Sequence, residues 1–260
     1  MNREIWQLIA DFLWLISGYD FFKKIPTSGR ALAKVQESYL TFDKKIYSHM
    51  KVSFSQEGED LVLRRFLENK KRGFYVDIGA CHPQRFSNTM SFYLDGWSGI
   101  SIEPNPEVID LFREIRPRDI NLNFGIGVVA DNIEYFMFAE AALNTFSLER
   151  VEELASKKEN YNPIKKIKVE VKPLSEILTM HLPKSQEITF MSVDCEGYDY
   201  QVLISNDWKI YRPRFVLVEC LMHYNDLELA FPVEQDPCAF MSSVGYRKIA
   251  KTFNTVFFAD

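Results

Sequence analysis

Four residues in the second half of the chain have the chemistry to activate a weak nucleophile: Asp194 and Glu196 in SVDCEG, and Glu219 and His223 in VECLMH. A carboxylate or an imidazole can take a proton from a hydroxyl. Hard carboxylate oxygens also suit a divalent cation such as Mg²⁺ or Mn²⁺ that polarises it. Asp194 and Glu196 are two apart, which puts both on one face if the strand continues. Gly197 marks a turn able to aim them, and Asp194 and Glu219, joined by Glu196 or His223, are the expected ligands if a metal is held. Read singly, each acid fits equally well as a helix cap or a hydrogen-bond partner.

A second acidic pair lies earlier, Asp77 in FYVDIGACHP and Glu103 in GISIEPNP. Glu103 follows Asp77 by 26 residues, near the roughly 20-residue interval at which an acid grips a ribose diol in βαβ sheets. The turn after Asp77 carries Gly79 and Ala80 but neither G-x-G-x-x-G nor G-x-x-x-x-G-K-[ST]. Without those glycines the backbone cannot wrap a pyrophosphate, which disfavours NAD, FAD and ATP. Asp77, at a strand end, is expected to face an ammonium or sulfonium. Acids on two consecutive strand ends suit a phosphate-free nucleoside carrying an amino acid, and S-adenosylmethionine is such a molecule.

Alternating elements must position these groups. Helices are predicted over 59–69, 86–95, 106–115, 148–158, 175–182, 198–206 and 234–245. Strands are predicted over 74–80, 99–104, 120–128, 133–139, 167–174, 188–194 and 214–220. The runs YRKIAKTF and TVFFA, joined at Asn254, read as a closing β-hairpin. The sum is an α/β fold: a mixed, mostly parallel seven-stranded sheet flanked by helices and finished by a C-terminal antiparallel hairpin. Residues 54–260 form this domain and residues 1–53 an N-terminal helical extension. Ile5–Phe22 has helical apolar spacing, but its uninterrupted apolar run falls short of the roughly 20 residues a bilayer core requires. Asp11 disfavours a signal peptide. The expected helix is amphipathic, packing on the body or on a second copy, or touching a membrane surface through Trp6, Phe12 and Trp14.

The formal charge of −5 offers no basic field for nucleic acid. Cys81, Cys195, Cys220 and Cys238 include no C-x-x-C pair, so reduced thiols and a cytoplasmic setting are expected. The scattered histidines form no H-E-x-x-H. Cys81, Cys195 and the EYFMF run are read as packing residues, and Tyr198 and Tyr224 as candidate acceptor contacts.

Taken in order, SQEGEDLVLRRF, FYVDIGACHPQRFSNT, GWSGISIEPNP, NFGIG and SVDCEG resemble the FkbM-type S-adenosylmethionine-dependent methyltransferases, over roughly residues 54–260. The resemblance implies a class I methyltransferase (Rossmann-like) fold and methyl transfer to oxygen, commonly a hydroxyl of a sugar, glycan or secondary metabolite. A saccharide or related polyhydroxyl acceptor is the expected partner. It places Asp77, Gly79 and Ala80 in the first cofactor loop, with His82 there as a loop hydrogen-bonder or a cofactor contact. Glu103, followed by Pro104, is the ribose-binding acid, and Asn123, Gly125 and Ile126 stand where adenine would lie. Glu57, Asn88 and Thr89 border the same pocket. The acids after the fourth and fifth strands also resemble those of catechol-type O-methyltransferases, which implies a metal at Asp194 and Glu219. One position departs from the FkbM pattern: Asp199 stands where the family often has Glu. The rival reading is a binding or scaffold protein that kept the fold and lost turnover; Asp77, Gly79 and Glu103 weigh toward the enzyme.

Overall fold

Strand β1 (Phe74–Ile78, FYVDI) is buried along its whole length, as expected of a central strand covered on both faces. It pairs in parallel with β2 (Ser98–Ile102) on one side and β7 (Phe190–Val193) on the other. The sheet continues outward to β3 (Ile120–Leu122) beyond β2, and to β8 (Phe215–Glu219), β10 (Thr255–Ala259) and β9 (Arg247–Lys251) beyond β7. Its seven-strand order, β3-β2-β1-β7-β8-β10-β9, reverses direction of travel between β1 and β7. β10 runs antiparallel to both neighbours, so the closing hairpin places its N-terminal arm, β9, at the edge and its C-terminal arm, β10, inside the sheet. This is the class I methyltransferase architecture that the sequence leads one to expect. The computed structural model describes residues 51–68, 70–156, 161–220 and 235–260. The expected N-terminal helix, His223 and Tyr224 lie outside the described residues.

Alternation along the strands divides the core. Phe74, Val76 and Ile78 of β1 join Ile100, Ile102, Val193 and Val216 on one face, whereas Tyr75 joins Phe190, Leu217 and Phe257 on the other. Helix α1 (Glu59–Leu67) packs Leu63 and Leu67 into the second cluster. Helix α2 (Met90–Leu94) brings Phe92 there as well. Helix α3 (Pro106–Ile115) starts with proline at its first position, and the Asn105 side chain accepts from Glu107 N at 3.0 Å, a conventional N-cap. Among the described residues, no helix is long and apolar enough to cross a membrane.

The structure departs from the sequence expectations in the following segments. Residues 120–128 do not form one strand: after β3 the chain leaves the main sheet, and β4 (Gly125–Ile126) pairs with β6 (Lys165–Lys172). With β5 (Asp131–Met137) these make a separate three-stranded sheet, β4-β6-β5. The helix expected over 86–95 begins only at Met90, because Ser87 Oγ accepts from Met90 N at 3.1 Å and Phe86 is held at φ 54°. A serine that bonds the backbone ahead of it competes with helix and delays its start. Of the remaining helices, α4 (Leu148–Ser156), α6 (Asp199–Ile204) and α7 (Pro237–Ser243) fall within the expected segments, and α5 (Leu174–His181) starts one residue before its own.

Candidate active site

A ligand in an open α/β sheet binds beyond the carboxyl ends of the strands, where strand order reverses. Here that crevice lies past the tips of β1, β2 and β7 and opens to solvent. Gly79, Glu103, Asp194, Glu196, Tyr135 and Tyr198 are among the residues that line it. Three of its wall residues, Cys81, Phe86 and Glu196, hold left-handed backbone at φ 53°, 54° and 49°, a conformation that side-chain-bearing residues adopt at a cost and that clusters at functional sites.

Gly79 shows why the first loop has that shape. Its φ is +73°, and a Cβ there would fall 1.8 Å from the Asp194 carbonyl oxygen. The sequence suggests a close approach to a cofactor, while the structure shows that glycine first lets the tips of β1 and β7 meet. Gly79 N and Ala80 N both donate to Ile102 O, tying the loop to β2 as well.

Glu103 is 3% exposed, yet it faces the crevice. Its Oε2 accepts from Cys81 N and its Oε1 from Asn105 N, each at 2.8 Å. Burial pushes its carboxyl up to about 7, against those two backbone hydrogen bonds. A carboxylate has about four acceptor sites, so two remain for a vicinal diol. Asn123 supports this tip by donating from Nδ2 to Glu103 O and Pro104 O at 2.8 and 2.9 Å.

Asp77 takes a different place from the one expected. The two-residue period puts it on the Tyr75 face of β1, and it is not among the crevice-lining residues. Its Oδ2 accepts from Thr89 Oγ1 at 2.6 Å. Thr89 in turn accepts from Arg116, which also donates to Tyr75 Oη, Asp119 and Ser87. Arg116 is fully buried. Asp77 and Thr89 therefore brace the cofactor loop from behind. Asn88 donates to Ser192 Oγ, clipping the same loop to β7. His82 Nδ1 accepts from Gln84 N and Arg85 N, and burial lowers its pKa to about 4. It is a neutral loop fastener. Glu57 Oε2 accepts from Asn254 N in the hairpin turn, and its neighbour Gln56 lines the crevice instead. Gly125 is packed against Phe146 and Val171, while Ile126 and Pro104 line the wall.

The acids at the tips of β7 and β8 do converge. Asp194, Glu196 and Glu219 present carboxylate oxygens all within 4.8 Å of one another. At that spacing each charged pair repels by roughly 3 kcal/mol or more at an effective dielectric of about 20. Burial first, then the neighbouring carboxylates, push Asp194 and Glu219 well above the usual carboxylate range. Arg150 of α4 holds Glu196 Oε2 at 3.0 Å. Glu219, 6% exposed, keeps Oε2 without a hydrogen-bond partner. Asp199 is buried beneath the turn, accepting from Cys195 N at 2.9 Å and Gly197 N at 3.2 Å. Burial raises its carboxyl to about 7. The shorter acid that departs from the family pattern thus clasps the turn that presents Asp194 and Glu196.

The sequence reading missed the wall supplied by the small sheet. Tyr135 of the EYFMF run, read as core, lines the crevice with Asn144 and Phe146. The Tyr135 and Phe146 rings meet at 4.6 Å, tilted by 43°, and Phe146 meets Tyr198 at 5.6 Å. Thr145 Oγ1 donates to Glu196 O at 2.8 Å, tying this wall to the acidic turn. Alternation in EYFMF was the available signal, since Phe136 and Phe138 pack elsewhere, against Leu154. Cys81 and Cys195 also border the crevice, their thiols pushed well above the ordinary range by burial and by nearby carboxylates. Both are poor nucleophiles.

Comparison with known proteins places the chain in a family. The Methyltransferase FkbM domain matches residues 77–248, about two thirds of the chain, and the chain belongs to that family. It is an S-adenosylmethionine-dependent methyltransferase. No curated protein matches the sequence. Among solved structures, the chain is similar to the O-methyltransferase from Bacillus cereus crystallised in complex with SAH, at 11% identity over 99% of each chain and a TM-score of 0.40.

Proposed function

We propose that this enzyme methylates a hydroxyl of a saccharide or related polyhydroxyl acceptor, with Asp194, Glu196 and Glu219 holding a divalent cation beside it. The observation that carries the reading is the buried, unpartnered Glu219 Oε2 facing two further carboxylates. A buried carboxylate oxygen without a partner is costly, and three acids at this spacing need a proton or a cation to coexist. Mg²⁺ or Mn²⁺ supplies the charge and prefers such oxygen ligands.

The crevice fits S-adenosylmethionine in its donor chemistry. Glu103 retains acceptor capacity for the ribose diol, and Phe124 and Ile126 offer an apolar wall for the base. No phosphate-binding glycine loop is present. When bound, the cofactor supplies an electrophilic methyl group on a sulfonium. The chain orients the acceptor: Tyr198 and Phe146 present ring faces for the apolar side of a sugar, while Asp194 and Glu196 stand ready to receive hydroxyl protons. With a cation in place Asp194 serves as its ligand, and without one it is the general base.

The test is methyl transfer from labelled S-adenosylmethionine to a panel of mono- and oligosaccharides, before and after exhaustive chelation. Loss of transfer on chelation and its return with Mn²⁺ supports the reading. Undiminished transfer after chelation removes the cation and leaves Asp194 as base. Cofactor binding by calorimetry without transfer to any hydroxyl acceptor overturns the assignment of acceptor.

A further inference from the structure

The thiols of Cys220 and Cys238 lie 2.8 Å apart, sulfur to sulfur. We infer that these two cysteines are a thiol–disulfide exchange site, closing reversibly into an intramolecular disulfide. The covalent S–S length is about 2.05 Å, so closure requires the sulfurs to approach by less than about 1 Å.

Both cysteines are anchored at the backbone. Cys220 follows β8 directly, is 1% exposed, and its N–H donates to Asn254 O at 2.7 Å in the hairpin turn. Cys238 lies in the first turn of α7, and its N–H donates to Asp236 Oδ1 at 2.8 Å. The two are 18 positions apart in sequence, so the bond would covalently close the chain between the end of β8 and the start of α7. Neither backbone anchor has to break for the sulfurs to meet.

Their unequal surroundings set the order of events. Cys238 is partly exposed whereas Cys220 is buried. The hydrogen bond between the two sulfurs, helped by Lys248 and Lys251 and opposed by burial and Asp236, lowers the pKa of the Cys238 thiol. The same hydrogen bond, together with burial, raises that of Cys220. Cys238, the one an external disulfide can reach, is the attacking thiol and Cys220 the resolving one. With a low-molecular-weight disulfide such as oxidised glutathione as oxidant, Cys238 Sγ attacks one sulfur, breaking the S–S bond and releasing one glutathione thiolate. Cys220 gives up its proton and attacks Cys238 Sγ, expelling the second glutathione. One S–S bond breaks and one forms. The two electrons lost by the cysteines reduce the oxidant to two thiols, which take up the two protons.

This inference concerns thiol chemistry and does not depend on the methyl acceptor. The expectation of reduced cysteines describes its resting state. The test is to expose the folded, full-length protein to oxidised glutathione, block remaining thiols with iodoacetamide, and map peptides by mass spectrometry. The expected result is a Cys220–Cys238 crosslink lighter by two hydrogen atoms and reversed by dithiothreitol, with Cys81 and Cys195 alkylated. In Cys220→Ser, a stable glutathione adduct should collect on Cys238, while Cys238→Ser should leave Cys220 unmodified. Four alkylated thiols in the oxidant-treated wild type would overturn the proposal. So would a crosslink involving Cys81 or Cys195.

Discussion

Two groups of buried charge lie on opposite sides of the loops at the sheet's carboxyl edge, and they are built to opposite ends. Behind β1, Arg116 sits among Asp119, Asp77, Tyr75, Thr89 and Ser87, and its guanidinium bonds to four of these side chains. Asp119 is matched in turn, accepting from Tyr75 Oη, Gly99 N and Arg116. At the tips of β7 and β8, three carboxylates converge, Arg150 reaches Glu196, and Glu219 keeps an oxygen without a partner. The first group compensates its charge within the protein and so fixes a shape. The second carries a deficit of positive charge and faces a crevice, so a proton or a bound cation has to compensate it.

The largest effect that tests this contrast is on turnover. Asp194→Asn should lower methyl transfer by about 10²–10⁴-fold while calorimetry still shows cofactor binding. Transfer within a few-fold of wild type would break the comparison, because the cluster would then be as structural as its counterpart. Next comes stability. Arg116→Met should cost about 3–5 kcal/mol in urea unfolding, since it strands Asp119 and Asp77 in the interior. Glu219→Gln should leave stability unchanged or raise it by about 1 kcal/mol, because it relieves like-charge repulsion at a site kept for function. Equal losses in the two variants would erase the distinction.

The pH dependence sharpens it further. Glu103 and Asp199, with pKa raised to about 7, bind protons more tightly folded than unfolded, as Asp194 and Glu219 also do. Their contribution to stability is present at acid pH and is lost as pH rises from the unfolded carboxylate range through the folded pKa. The metal-free protein should therefore lose thermal stability between about pH 5 and pH 8. Mn²⁺ should restore more of it at pH 8 than at pH 6, and Glu219→Gln should flatten that metal-dependent part. A Mn²⁺ effect independent of pH would argue against the cluster as its site. The smallest effect is a surface control: Arg113→Ala, which removes an exposed pair with Asp110, should change stability by no more than about 0.5 kcal/mol.

Most elements were legible because their signals are local. FYVDI and TVFFA are short runs of strand formers, Asn105-Pro106 starts a helix by its own chemistry, and the hairpin turns where polar residues interrupt apolar ones. Residues 120–128 misled because a continuous run of strand-like residues does not show where the chain changes sheets. Phe86–Thr89 misled because the Ser87 hydroxyl competes with the helix it precedes.

Sequence spacing alone put Glu103, Asp194, Glu196 and Glu219 at strand ends, and the ordered motifs named their family, because type and position along the chain suffice for both. Only the tertiary structure decided that Asp77 turns back to a buried threonine and arginine, that Gly79 exists to let Asp194 pass, and that Tyr135 and Phe146 of a second sheet wall the crevice. Each of these is a contact between residues far apart in the chain. Which of two faces a side chain joins, and whether its charge is answered there, depends on neighbours that folding alone assembles.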